Sequence, residues 1–525
     1  ARLQAVSLPS WAQTNCPDTI QPQSSTGKNA METLTPADFA DDNPLSSVSR
    51  RVFVKGLGFV SVALILSTLG GCDKLADAIK NRPVRRRLRT GSAEVDADIA
   101  TYRDAVAAMK ALPAGNPTSW AAQAAIHGTA NPNVFIFCEH GTDHFFDWHR
   151  AYLFYFEKIC QKVTGKPKFG LPYWNWNQNP AINPGYLDPN NPPSNALFQA
   201  RNDTDMTGVW DVSTAALDPI MGDTNFFTFM SQIEGTPHNT VHCAVGGIMC
   251  TGGSPLDPIF WNHHCMIDYC WTKWNIELNN NNTNDATWIN HVNSHFVDAD
   301  GNPATQTAGL TTLMPLLSYR YESSAIGNFP AQAAIETKAA FEKVEKRIRA
   351  GANIRFEIKK RVRLADKAAV SIAKPIHKET RLAPQDFAQI INSDTAKERI
   401  FASIEWADLP AHSDFSVRVF VNLPSANSST STEDPHFAGS FAFFGTTGAH
   451  RAAAGGHAHQ PRFLVNITNT IQRLREKGEL NEGTPISIQL VPVPFAGKFE
   501  REDTQLQLNG IEIITTPVII NPPPE

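Results

Sequence analysis

At 525 residues and 42% hydrophobic content, the chain is long enough for more than one domain with a substantial core. A formal charge of −5, from 46 basic and 51 acidic residues, and the lack of a long basic stripe interleaved with aromatics exclude nucleic acid as a partner. Eight cysteines are few for this length. Cys138, Cys160, Cys243, Cys250, Cys265 and Cys270 are expected as buried thiols or metal-site chemistry rather than disulfide staples.

Residues 1–48 are rich in Ser, Thr, Pro, Asn and Gln without an apolar period and read as a poorly structured leader. Ser49-Arg50-Arg51-Val52-Phe53 precedes an uncharged run from Gly56 to Gly71 that is too short to span a membrane and has the flanks of a signal segment. It resembles a bacterial twin-arginine export signal, which implies a periplasmic or envelope location if it functions and a cytoplasmic one otherwise. Leu69-Gly70-Gly71-Cys72 resembles a lipoprotein cleavage box, so the leader or an acylated Cys72 would serve as a membrane tether. Residues 49–92 are thus a signal followed by a basic spacer, with the basic residues gathered in 80–89.

From Glu94 to Leu112 the apolar positions Val95, Ile99, Tyr102, Val106 and Met109 recur at three and four, the period of an amphipathic helix ending before Pro113. Phe137 to Glu157 sets His140 and His149 among aromatic and aliphatic residues, where an imidazole without a partner is costly to bury. A metal is such a partner, and neutral imidazole is the commonest side-chain ligand. The helix after Phe145 is apolar nearly all round, as in the centre of a bundle. Residues 177–225, rich in Asn, Pro, Asp and Gly, read as a long surface loop. His238 and His242 stand at i and i+4, on one helix face about 5–6 Å apart. Asp257-Pro258 is a helix start whose next turn carries His264 inward. His291 and His295 read as a solvated helix face, and His450, His457 and His459 as a hairpin tip.

Three motifs occur together: His140 nine residues before His149 in Trp148-His149-Arg150, then His238-Asn239-x-x-His242, then Asp257-Pro258-x-Phe260-x-x-x-His264-x-x-x-Asp268. This combination resembles the central domain of the type 3 copper proteins, the tyrosinases, catechol oxidases and haemocyanins. The resemblance implies that His127, His140 and His149 hold one copper ion and His238, His242 and His264 a second, with O2 as co-substrate and small phenols as substrates. It implies that Glu234 and Asn239 hold a water able to take a proton from a monophenol. Phe260 would pack beneath the site, His144 would be unligated, and His263 would point elsewhere. Cys138, two residues before His140, is either joined to that ring by a thioether, as in fungal tyrosinases, or a buried thiol.

Beyond the helix-like linker at 326–352, Ser416 to Leu423, Phe437 to Phe444, Pro485 to Val493 and Leu506 to Ile514 alternate like strands. The expected fold is a mainly α, four-helix-bundle copper domain over 93–325, followed by an all-β C-terminal domain, sandwich or barrel, over 353–525. Phe437 to Phe441, Ile486 to Pro492 and Asn509 to Ile513 resemble the C-terminal domain of plant polyphenol oxidases, which implies a lid that keeps the enzyme latent. The function implied is a tyrosinase that ortho-hydroxylates monophenols and oxidises o-diphenols to o-quinones. The alternatives are a catechol oxidase without the first step and a haemocyanin-like O2 carrier; a homo-oligomer is compatible with each.

Overall fold

The computed structural model describes residues 81–323, 354–407, 409–410, 412–445, 461–502 and 504–519. The leader and export signal, nearly all of the linker, and His450, His457 and His459 lie outside the described residues. In chain order the first domain comprises β1 (Val84–Arg85), α1 (Ala93–Ala111), α2 (Trp120–His127), β2 (Gly128–Ala130), β3 (Asn133–Phe135), α3 (Phe145–Thr164), α4 (Phe226–Ile233), α5 (Asn239–Val245), α6 (Ile259–Thr272), β4 (Val292–Val297), β5 (Pro303–Thr307) and β6 (Arg320–Tyr321). Short helical turns fill the connections.

Local chemistry sets the helix ends. Ser92 caps α1 by accepting from the Val95 amide, Glu94 and Asp96 favour its positive end, and Val95, Ile99, Tyr102, Val106 and Met109 are buried as the periodicity requires. Ser119 caps α2 through the Ala122 amide, and Asn225 caps α4 through the amides of Phe227 and Thr228. The stretch at 177–225 is only partly a surface loop, because Thr214–Met221 forms a helix whose Leu217 and Ile220 are buried.

The basic segment before α1 is not a solvated spacer. β1 pairs in parallel with β6, and Arg85 is fully buried, donating to Glu157 on α3 at 2.9 Å and to Asp268 on α6 at 3.1 Å. Arg82 is buried against the carbonyls of Pro315 and Leu316. Composition alone counts these arginines as exposed; fixed carboxylates and carbonyls are what let them be buried.

Asp268 gathers the domain. One oxygen accepts from Arg150 of α3, and the other from Arg85 and from the hydroxyls of Tyr319 and Tyr321, each at 2.6 Å. Burial alone would raise its pKa, but Arg150, Arg85 and the two tyrosines outweigh burial and hold it below the usual carboxylate value. The Arg85 and Arg150 guanidiniums also lie over the rings of Tyr319 and Trp271, 3.6 and 3.5 Å from the centroids.

The second domain is a sandwich of two antiparallel sheets. Its strands are β7 (Lys360–Ala365), β8 (Ala368–Ser371), β9 (Ile376–Thr380), β10 (Glu398–Trp406), β11 (Phe415–Val421), β12 (Phe437–Ala442), β13 (Arg462–Asn466), β14 (Ile486–Pro494) and β15 (Gln505–Pro517). One sheet runs β13-β10-β15-β7 with β8 also on β15, and the other runs β12-β11-β14-β9. Alternate residues of both, such as Ile404 and Ile513 from one and Val417, Val419 and Ile488 from the other, meet in one core. The helix α7 (Thr468–Glu476) adds Ile471 and Leu474.

Replacing Asp268 with Ala leaves two buried guanidiniums unpaired. The copper-free chain is expected to lose about 3–5 kcal/mol of stability in denaturant unfolding. Asp300→Ala, which removes the exposed partner of Lys162, is expected to stay within about 1 kcal/mol of the parent.

Candidate metal centre

The six histidines singled out in the sequence come from four helices and one loop and meet in the middle of the first domain. His127 ends α2, His149 lies in the second turn of α3, His242 is in α5 and His264 in α6. His140 sits in the loop before α3. His238 precedes α5 in a widened turn, because Pro237 has no N–H to continue the α4 ladder and the Asn239 amide reaches back to the Glu234 carbonyl.

The rings form two facing triads. His127, His140 and His149 have centroids 4.8–5.8 Å apart, and His238, His242 and His264 are 4.6–5.4 Å apart. Across the gap His140 lies 5.3 Å from His238, and His149 stacks on His264 at 4.4 Å. All are buried except His140, whose side chain keeps 8% exposure.

Hydrogen bonds at the far side of the rings aim them. Nδ1 of His127 bonds the Gly252 carbonyl at 2.8 Å, that of His149 the Phe145 carbonyl at 2.7 Å, and that of His242 the Met249 carbonyl at 2.7 Å. Nδ1 of His140 meets a Glu234 oxygen at 3.2 Å, and that of His238 the Asn239 oxygen at 2.8 Å. These oxygens only accept, so each Nδ1 donates and each Nε2 carries a lone pair. The Gly252 carbonyl reaches His127 because the backbones crowd there: a Cβ on Gly252 would stand 2.2 Å from the Val134 oxygen. His264 differs, since its Nδ1 has no hydrogen-bond partner.

Lone pairs facing one another need a cation. Nε2 of His127 and of His140 lie 3.1 Å apart, and Nε2 of both His149 and His238 is buried with no hydrogen-bond partner. Protonation does not supply the charge. Burial first, and repulsion among the rings second, hold His140, His149, His242 and His264 well below the ordinary imidazole value, and burial lowers His238 to about 3. Neutral nitrogens in two triads, with no carboxylate between them, fit a pair of borderline metal ions such as copper.

The neighbours sort into those expected and those not. Phe260 is fully buried under the rings, 4.3 Å from His264 and 5.2 Å from His127. His263 lies beside the second triad but accepts from the Trp176 indole at 3.2 Å, so its Nδ1 is taken. His144 stacks on His291 at 3.6 Å and pairs with Asp147. His291 and His295 are not a helix face. One ends a short helix, the other lies in β4 with φ 72° and stacks on Phe137, because aromatic contacts outweigh the helical spacing. Cys138 is buried with its sulfur within 4.8 Å of ligand atoms of His127 and His140. Cys243 and Cys250 form a disulfide, contrary to the expectation of thiols; the turn through Gly246 and Gly247, both at positive φ, brings their Cα atoms to 4.5 Å.

The residue missed in sequence is Phe444, just beyond β12. Its ring stacks on His242 at 4.0 Å and 15°, and stands 5.3 Å from His140 and 5.5 Å from His238. The edge strand β12 is docked beside it: Thr236 donates to the Ser440 carbonyl and the Asn239 amide to the Ala442 carbonyl, both at 2.9 Å. The pair Phe443-Phe444 before a Gly/Ala-rich loop was the available signal.

The common central domain of tyrosinase matches residues 117–197 and 185–277, and a domain of unknown function, DUF7868, matches residues 354–509. A tyrosinase of Hahella sp. (strain CCB-MM4), HcTyr1, is 24% identical over 481 residues, covering 79% of this chain and 95% of the relative. A chloroplastic polyphenol oxidase of Malus domestica is 26% identical, covering 80% and 77%. Among solved structures, latent aurone synthase has a TM-score of 0.58 at 19% identity, covering 84% of this chain and 90% of that one. Latent apple tyrosinase has a TM-score of 0.54 at 20% identity, covering 83% and 97%. With the histidine cage and these matches together, the chain carries the central domain of the tyrosinases, type 3 copper proteins, and is homologous to bacterial tyrosinase and plant polyphenol oxidases.

Proposed function

We propose that the chain is a tyrosinase held latent by its own β domain, with His127, His140 and His149 holding one copper ion and His238, His242 and His264 the other. The observation that carries the reading is the Phe444 ring lying flat on His242 at the mouth of the two triads. A slot that accepts a phenylalanine ring is the width of a single-ring phenol, so the substrate class follows from the plug. When bound, the copper pair supplies dioxygen activation and accepts the electrons of ring oxidation.

The chain's own part is to orient the ring and handle its proton. Once Phe444 withdraws, a phenol stacks on His242 between Phe135 and the triads. Departure of β12 also frees the Asn239 amide from the Ala442 carbonyl, and Asn239 then holds a water for Glu234 to accept the phenol proton. A second reading, diphenol oxidation alone, is favoured by one contact: the Glu234 carboxylate already accepts from His140 Nδ1 and the Gly141 amide. The reading of residues 49–72 as an export address belongs to the same proposal and rests on sequence.

Copper content with monophenol and o-diphenol assays tests the whole. Phe444→Ala is expected to raise turnover without an activator by roughly 30-fold, corresponding to loss of a contact worth about 2 kcal/mol. Unchanged turnover, with the β domain still attached, would remove the plug. Glu234→Gln is expected to lower monophenol hydroxylation by about 10²-fold or more while o-diphenol oxidation falls far less; equal losses would favour the second reading. If Cys138 is joined to His140, the peptide spanning both is lighter by two hydrogens, and an unmodified mass would eliminate the thioether.

A further inference from the structure

We propose that the Cys243–Cys250 disulfide is a positioning element for the metal centre, locking in place a short segment whose carbonyls aim one histidine of each triad. The inference rests on the ligand reading of His127 and His242. The disulfide joins the residues next to the two ends of one hydrogen bond. Cys243 follows His242, and Cys250 follows Met249, whose carbonyl accepts from His242 Nδ1 at 2.7 Å. Two residues beyond Cys250, the Gly252 carbonyl bonds His127 Nδ1 at 2.8 Å. Met249 to Gly252 thus serves both half-sites.

This arrangement differs from the other anchors. His149 bonds a carbonyl of its own helix, and His238 bonds the side chain of the next residue. The Met249 and Gly252 carbonyls come from a segment that follows the glycine pair Gly246-Gly247, at φ 68° and 57°. Glycines give a chain more backbone freedom than other residues, and the cross-link closes the loop over that freedom. The Phe443 carbonyl also lies 3.2 Å from Cys243 Sγ, so the tie sits where the β domain lands.

The test compares the parent full-length chain with Cys250→Ser and with the double variant Cys243→Ala/Cys250→Ala. As a third arm, the folded copper-free parent is treated with a water-soluble phosphine. In that treatment the disulfide gains two electrons and two protons to give two thiols, and the phosphine takes oxygen from water to become its oxide. Copper retention is read by titration with a competing chelator, and the ring tautomers by nitrogen NMR of histidine-labelled, copper-free protein, with circular dichroism as the check on fold. Opening the disulfide in folded chain is expected to weaken copper retention about 10–100-fold, as for loss of a residue that orients a ligand. It is also expected to average the His242 ring signal away from its Nδ1–H form. Copper retention and ring signals identical to the parent in the folded variants and in the reduced parent would overturn the proposal. A parent that binds no copper overturns the ligand reading instead, and the ring signals of the copper-free chains still decide this one.

Discussion

The arrangement of the domain depends on the carboxylate of Asp268. It is buried among two arginines and two tyrosines, and each comes from a different part of the chain: Arg85 from the first strand, Arg150 from α3, Tyr319 and Tyr321 from the closing segment. Arg150 follows His149 and Asp268 lies one turn after His264. Their pairing fixes the rotation of α3 and α6 about their axes, and with it the stacking of those two rings. An ion pair of this kind adds little as raw energy but is costly to break once formed. Its value here is geometric.

A second set of bonds refines what the first makes coarse. Helix rotation brings a ring to the centre; only a hydrogen bond at Nδ1 decides which nitrogen faces inward. The acceptors for this are scattered among the Phe145, Met249 and Gly252 carbonyls, the Glu234 carboxylate and the Asn239 amide. Burial keeps the rings neutral, so the cage presents lone pairs rather than charges. Apolar packing by Phe260 beneath and Phe444 above completes the exclusion of water.

What the sequence disclosed, and what it hid, divides along physical lines. The ligand candidates were legible because metal spacing is local: four residues between His238 and His242, nine between His140 and His149. The β domain was legible from alternation, as in Phe415, Val417, Val419 and Val421. The burial of Arg85 was not, because an arginine looks exposed until its carboxylate partners, 72 and 183 residues away, are known. The same holds for Phe444, whose target lies in another domain, and for Cys243–Cys250, where two glycines make a bond that spacing alone does not announce. His291 and His295 read as a helix because a four-residue interval is shared by helices and by chance.

The docking of β12 has a consequence for the state that follows release. An outermost strand normally needs charge, proline or a bulge to discourage further pairing, whereas here the Ser440 and Ala442 carbonyls are finished by Thr236 and Asn239. A β domain that swings away while still tethered carries an unsaturated border and a bared phenyl group into solvent. Re-docking onto its own chain therefore competes with adhesion to neighbouring molecules, and crowding tips that competition: a dilute population would recoil to the closed form, and a concentrated one would clump.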